Sequence, residues 1–395
     1  MTHPLDSSPA DFYDLFSDID GPELDAWRQA QAFAAEVRTR IAKDWENAHY
    51  PTDLVALAGK QGLLTDAVDV PGQPTITPLA SRLITMEVSR ADASMATAIA
   101  VQAGLAMQAI DQCGSPEQRE AWLGPLARAE KLGAFALTEP THGSDAVALE
   151  TTARKDGDSW VIDGKKKWIG NGHGGDITVV WARMEGGDND GEVGGFLVPQ
   201  DAPGYHSQAI AGKVALRAIP QAEIELDGVR VDESQRLPGA TSFLAASKVL
   251  SGTRVGVAWS ALGIAIDCFE TALNRATERR QFGKPLASFQ IIQQRLADML
   301  QKLTAMALYC RRISQLEAEG RLRHQQASLA KVHNTRGARY IAAEARDLLG
   351  GTGILLENHV MRHMADIEAL HTYEGTDTIQ SLIVGKTITG ISAYV

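Results

Sequence analysis

The chain has 395 residues and a formal net charge of −11. That length exceeds what one hydrophobic core usually serves, so two or three domains are expected. The acidic balance argues against gripping nucleic acid or an anionic membrane by general electrostatics, while a 44% hydrophobic share fits a globular interior.

Cys113, Cys268 and Cys310 are far apart and form no CxxC pair, which argues against a disulfide framework and a structural zinc site. The start, MTHPLDSSPADFYDLF, has no basic stretch followed by an apolar run, so it reads as neither a signal nor a transit peptide. No apolar run approaches the roughly 18 residues that span a bilayer. A cytoplasmic protein is the expectation.

In chain order, the first third reads helical. Phe33, Val37 and Ile41 recur at every fourth position. SPEQREAWLGPLAR begins like a helix, with Ser115 as N-cap, Pro116 at the first turn and Gln118 closing a capping box. The texture changes near Gly133. SWVIDGKKKWI reads as a hairpin turning at Asp163-Gly164, followed by the strand-like runs DITVVWARM, GGFLVPQ and AEIELDGVRV. EGGDNDGEVGG (185–195) reads as a solvated hairpin connection. From about residue 241 the helical pattern returns, with Leu262, Ala265, Ile266, Phe269 and Leu273 on one face and Ile292, Leu296, Met299, Leu300 and Leu303 on another. The order is helical, then β, then helical.

Several familiar chemistries have no footprint. No GxGxxG opens a helix after a strand, and P-loop, HExxH and GxSxG patterns are absent. His359 and His363, four apart, read as solvated positions or satisfied partners, and no metal is expected. Three stretches stand out instead. FALTEPTHGSDA (135–146) breaks from helix into the β region; its hydroxyls and backbone N–H groups could hold an anion or a polar ring, or simply cross between domains. KKKWIGNG (165–172) places Trp168 beside glycines that admit a ligand, or is a core tryptophan next to a turn. HTYEGTDTIQ (371–380) carries Glu374 just before a helix start, where a carboxylate is ordinarily a dipole partner.

Taken together, TEP-x-x-GSD, KxWIxN, R-x-x-FG-x-x-L-x-x-x-Q and YEGT in this order resemble the acyl-CoA dehydrogenase family, from about Asp11 to the C-terminus. RRQFGKPLASFQ, ARDLLGGTGI and YEGT followed by ITGI are most similar to its glutaryl-CoA dehydrogenase and plant short-chain acyl-CoA oxidase branches. The resemblance implies an α+β multidomain fold: an N-terminal helical domain (1–133), a small middle β-barrel or sandwich (134–240) and a C-terminal helical bundle (241–395). It implies FAD-dependent α,β-dehydrogenation of an acyl-CoA thioester to the trans-2-enoyl-CoA. An electron-transfer flavoprotein would take the electrons and the assembly would be a homotetramer.

Residue roles follow from the same likeness. Glu374 is the implied α-proton base, with Tyr373 and Gly375 beside the substrate and Gly375 leaving room for it. Phe135, Leu137 and Thr138 would line the flavin, Ser144 would lie nearer the CoA, and Trp168 and Ile169 would face the ring system. Arg279, Gln290 and the segment Asp347 to Gly351 would reach the FAD of a neighbouring subunit. Thr376 and Thr378 would contact the cofactor after the base, and Arg254 would lie near substrate and CoA. Some relatives carry the base one residue before Arg254; here that residue is Thr253, which cannot serve. The backbone N–H of the base and a ribityl hydroxyl would meet the enolate oxygen. Burial would raise the pKa of Glu374 and the adjacent helix start would lower it.

Two departures shape the expected substrate and acceptor. Ala96 stands where the glutaryl-CoA branch has the arginine that holds a distal carboxylate, and Arg90 lies on another side of its helix, so a short uncharged acyl group is expected, with decarboxylating glutaryl-CoA dehydrogenation as the alternative. Gly170 replaces the hydroxyl residue that many dehydrogenases place at the flavin, as in the oxidase branch, so oxygen is the alternative acceptor.

Overall fold

In a computed structural model, residues 3–6 and 8–393 are described. Helices occupy the first third: α1 Gly21–Arg38, α2 Ile41–Glu46, α3 Thr52–Lys60, α4 Pro78–Ala91, α5 Ala93–Ile99, α6 Gln108–Cys113 and α7 Pro116–Ala127. A π-helical stretch, Ala100–Met107, joins α5 to α6 as one rod. The expected capping box at α7 is present: Ser115 accepts from the Gln118 N–H and Gln118 returns a bond to the Ser115 N–H. Ile41 does not extend α1, which ends at Arg38; it opens α2.

Strands β1 Gly133–Ala136, β2 Thr152–Asp156, β3 Ser159–Gly170, β4 Ile177–Glu185, β5 Val193–Pro199, β6 Tyr205–Ala209 and β7 Gln221–Asp232 form one curled sheet. The order is β1-β4-β2-β3-β7-β6, with β5 on the other edge of β4. β1 and β2 both run parallel to β4, in successive register blocks starting at Gly133↔Ile177 and Thr152↔Arg183. The 185–195 loop is the β4–β5 hairpin connection expected of it. The inner face of the curl buries Trp160, Ile162, Val180, Phe196 and Ile224, while Phe135, Trp181 and Leu197 pack toward the helices.

One expected hairpin is corrected. Asp163-Gly164 is not a turn: β3 runs straight through it as an irregularity against β7, between Ile162 and Gly164. A Cβ on Gly164 would come 2.4 Å from the Thr151 hydroxyl, so the glycine permits a close approach rather than a reversal. The reversal lies earlier, at Gly157-Asp158, where Asp156 pairs with Ser159.

The last third contains α8 Phe243–Glu278, a short β8–β9 ribbon (Arg280–Gln281, Lys284–Pro285), α9 Gln290–Ala318, α10 His324–Leu348, α11 Val360–Thr372 and α12 Asp377–Thr389. The rod Ala93–Cys113 and helix α8 are, contrary to the sequence expectation, long and apolar enough to cross a bilayer. Most of each lies inside the protein, so both are accounted for as core helices.

Polar groups also cross the core. Arg362 on α11, fully buried, pairs with Asp92 at 2.5 Å, and Asp92 also caps α5 through the Met95 N–H. His363 donates from Nε2 to the Asp267 carboxylate at 3.0 Å and His359 accepts from Arg362 at 2.6 Å, so both histidines are structural partners, with His363 Nδ1 left without one among the described residues. Removing one member of a buried pair leaves the other charge uncompensated. Arg362→Met is therefore expected to cost about 3–5 kcal/mol, read as a lowered unfolding midpoint, and Asp92→Asn in the same chain should recover part of it. A midpoint within a degree of the parent would show that the pair does not hold α11.

Candidate active site

Glu374 sits between α11 and α12, in a turn where two consecutive residues are left-handed, Glu374 at φ 56° and Gly375 at φ 83°. Thr376 then caps α12 by accepting from the Ile379 N–H at 3.2 Å, so the helix start read from the sequence exists. The turn is gripped from two sides. Lys331 of α10, 1% exposed, donates from Nζ to the carbonyls of both Tyr373 and Gly375. Gln380 donates to the Glu374 carbonyl at 2.8 Å.

The Gly375 reading changes in one respect. A Cβ there would come 2.1 Å from the Gln380 amide nitrogen, so the missing side chain makes room for Gln380. The positive φ requires the same residue type independently.

The half-buried Glu374 carboxylate accepts from the Thr253 hydroxyl at 2.5 Å. Thr253 cannot act as a base, but it holds the residue that can. Burial raises the pKa of Glu374 above its ordinary value, while the Thr253 hydroxyl and the charges of Lys331 and Arg254 pull it down. Burial wins. Lys331 is pulled down to about 8 by burial, with Arg254 adding to the lowering and the Glu374 and Asp377 carboxylates opposing it. Tyr373 is pushed up by burial and its hydroxyl bonds Thr97, so the phenol stays neutral. A cavity of about 270 Å³ between the start of α8, the end of α9 and the start of α10 is lined by Ser251, Gly252, Val255, Glu317 and His324.

The two β-region motifs are tied together. Glu139, from FALTEPTHGSDA, pairs at 2.9 Å with the fully buried Lys166 of KKKWIGNG, and Lys166 also donates to the Leu137 carbonyl at 3.1 Å. Burial opposes the charge on Glu139, yet Lys166, the Glu150 N–H and Thr151 hold it at about 2. Phe135 and Leu137 are buried, Thr138 half-buried and Ser144 exposed. Trp168 is 55% exposed at φ 66°, a flat face with a strained backbone. Ile169 turns the other way: it is 3% exposed and packs in the sheet core near Gly172, so its side chain does not face the cleft and only its backbone can. A Cβ on Gly170 would lie 2.8 Å from Val101 of the π-helical stretch.

The remaining expected residues lie elsewhere. Arg254 is half-buried on α8, next to Thr253. Arg279 follows α8, Gln290 begins α9, Asp347 lies in the last turn of α10 and Gly351 just beyond it; all four are exposed, and Arg295 links α9 to Asp347 at 2.8 Å. Among the described residues no hydrogen bond or ion pair joins them to the Glu374 turn. Thr378 is exposed on α12. Ala96 is 4% exposed, and Arg90 pairs with Glu87 and Glu270. Sequence reasoning missed Lys331, Gln380 and the Glu139–Lys166 pair. A lysine on the buried Ala327, Lys331, Thr335 face of α10 was the available signal for the first.

The architecture converges with direct comparison. Residues 23–130, 134–229 and 243–389 match the acyl-CoA dehydrogenase N-terminal, middle and C-terminal domains. The chain belongs to the acyl-CoA dehydrogenase family. The short-chain specific acyl-CoA dehydrogenase, mitochondrial, of Homo sapiens is 35% identical over 358 residues, 89% of this chain and 86% of that one. The crystal structure of glutaryl-CoA dehydrogenase from Mycobacterium smegmatis matches with TM-score 0.94 at 38% identity, covering 98% of this chain and 99% of the other. A glutaryl-CoA dehydrogenase from Mycobacterium smegmatis in complex with FADH2 matches at TM-score 0.93 and 35% identity over 100% of both chains. This acyl-CoA dehydrogenase is a flavin oxidoreductase acting on CH–CH bonds, with FAD as cofactor. The exposed Trp168 face and the glycines around it suit a flat ligand of that kind.

Thr253→Val removes the hydroxyl that favours ionised Glu374. The pKa of Glu374 should climb further, and the acid limb of the pH profile of flavin reduction should move to higher pH. An unmoved limb would show that the hydroxyl does not set its protonation.

Proposed function

We propose that this acyl-CoA dehydrogenase oxidises a short, uncharged acyl-CoA thioester to its trans-2-enoyl-CoA, with Glu374 as the α-proton base. The observation that carries this reading is the Glu374 carboxylate: desolvated, raised in pKa and fixed by Thr253 in a turn braced by Lys331 and Gln380. A general base works best with a pKa near the operating pH. Bound FAD supplies the hydride acceptor. Phe135, Leu137, Thr138, Trp168, the Ile169 backbone and Gly170 would hold it from this chain, with Thr376 and Thr378 following the base. Ser144 and Arg254 would meet the CoA thioester.

The restriction to uncharged acyl groups rests on two side chains. Ala96 offers no cation, and Arg90 is already neutralised by two carboxylates. Arg279, Gln290, Asp347 and Gly351 would serve a neighbouring subunit's flavin in a homotetramer; the exposed apolar Phe282 and Ile291 beside them support such a surface. An electron-transfer flavoprotein is the proposed acceptor. A second reading, oxygen as acceptor, draws on Gly170, because Val101 fills the space that a hydroxyl side chain would need.

Glu374→Gln should lower the rate of flavin bleaching by acyl-CoA by about 10²–10⁴-fold while FAD content stays at the parent level. Bleaching at the parent rate would remove Glu374 from the mechanism. In an acyl-CoA panel, butyryl-CoA should bleach the flavin faster than glutaryl-CoA, with no carbon dioxide released from the latter; the reverse order, with decarboxylation, would return the enzyme to the diacid branch. Hydrogen peroxide formed in air at the turnover rate seen with an artificial acceptor would establish the oxidase reading, and reduced enzyme stable in air would exclude it.

A further inference from the structure

The peptide unit joining Tyr373 to Glu374 is trans, so its C=O and N–H point in opposite directions. The C=O accepts from Lys331. The Glu374 N–H therefore points away from Lys331, and it donates to no group among the described residues. Both neighbouring carbonyls are also occupied, Glu374 O by Gln380 and Gly375 O by Lys331. The turn thus has its three carbonyls tied down, while the Glu374 N–H, like those of Gly375 and Thr376, meets no acceptor among the described residues, next to the Glu374 carboxylate.

Removing an α-proton from a thioester puts negative charge on the thioester oxygen, and fixed donors aimed there lower the barrier. A cation bound to the oxygen of a peptide polarises that peptide and makes its N–H a stronger donor. We propose that Lys331 is a positioning residue for this charge: bound to the Tyr373 carbonyl, it aims the Glu374 N–H at the thioester oxygen and strengthens it. The inference rests on the reading of Glu374 as the base. It gives one ammonium two tasks, because the same group faces the Glu374 carboxylate and favours its ionised form. Lys331 is faced by Glu374 and Asp377 from the turn and α12, by Arg254 from α8 and by His371 from α11. Among these it alone donates to the Tyr373 and Gly375 carbonyls.

The test reads the thioester directly. A 2-enoyl-CoA labelled with ¹³C at the thioester carbonyl, bound to the FAD-loaded enzyme, should show its C=O stretch lowered relative to free ligand. In Lys331→Met that lowering should shrink toward the free value, with flavin reduction slowed about ten- to hundredfold, somewhat less than loss of a whole oxyanion donor. Lys331→Arg should restore much of the shift. In the parent enzyme the shift should also fade as pH rises through about 8, where Lys331 loses its proton; this arm serves should Lys331→Met not fold. A carbonyl shift equal in parent and Lys331→Met, or constant from neutral to alkaline pH in the parent, would overturn the proposal and leave Lys331 a purely structural brace. Glu374→Gln separates the two readings, since it keeps the N–H: it should lose bleaching and keep the carbonyl shift. Bleaching retained in that variant overturns the base reading, while the shift still decides for or against Lys331.

Discussion

The site depends on a backbone constraint. Glu374 is a non-glycine residue in the left-handed region, and such a conformation costs roughly 1–2 kcal/mol. The turn keeps it because its neighbours fix every other option. Lys331 and Gln380 occupy three successive carbonyls, Thr376 caps the following helix, and Arg336 grips Asp377 with bonds of 2.8 and 2.6 Å. All but the Thr376 cap and the Gln380 bond come from α10. That helix is itself held to α8 by Asn334, which donates to the Ala258 carbonyl at 2.9 Å. The direction of the carboxylate and of the unpaired N–H is thus set by how two long helices pack, far along the chain from residue 374.

Two buried lysines show how the same physics serves different ends. Burial pulls both Lys166 and Lys331 down to about 8. Lys166 has a dedicated counter-ion, Glu139, whose oxygens are already taken by Thr151 and the Glu150 N–H as well. That pair is closed and holds two loops together. Lys331 bonds carbonyls instead, so its nearest carboxylate, Glu374, keeps its oxygens for Thr253 and for an incoming proton. A directly bonded Lys331–Glu374 pair would hold Glu374 ionised but would commit its oxygens, which the proposed α-proton base needs free.

Local patterns were legible where one rule governed. The capping box at Ser115 follows from three residues, and the β4 and β5 strands from their apolar runs. Asp163-Gly164 misled because the dipeptide that favours a two-residue turn also suits an irregular strand position, and the choice there was made by Thr151, a residue on another segment. Glu374 was legible through the order of distant motifs and not through its own surroundings. Its bracing was not legible, since Lys331 lies more than forty positions away and its burial depends on tertiary packing. Gly375 was read as leaving room for the substrate; its contact with Gln380, which also requires a glycine there, was not legible.

The π-helical stretch explains why a glycine is fitted at position 170. Within one rod, Val101 must meet Gly170, Gly104 must pass the Asp66 carboxylate and Thr253, and Gln108 must reach the Asp66 carbonyl at 2.8 Å. A regular α-helix advances about 100° per residue, so a single residue taken up or released by the widened turns rotates everything after it by that amount. Val101 and Gln108 would then no longer face the β region and the Asp66 loop together. Wide turns of this kind are rare and collect at functional sites. Here the stretch brings contacts from the sheet, the N-terminal loop and α8 onto one rod. A bulkier residue at position 170 would press on Val101 and so on that rod.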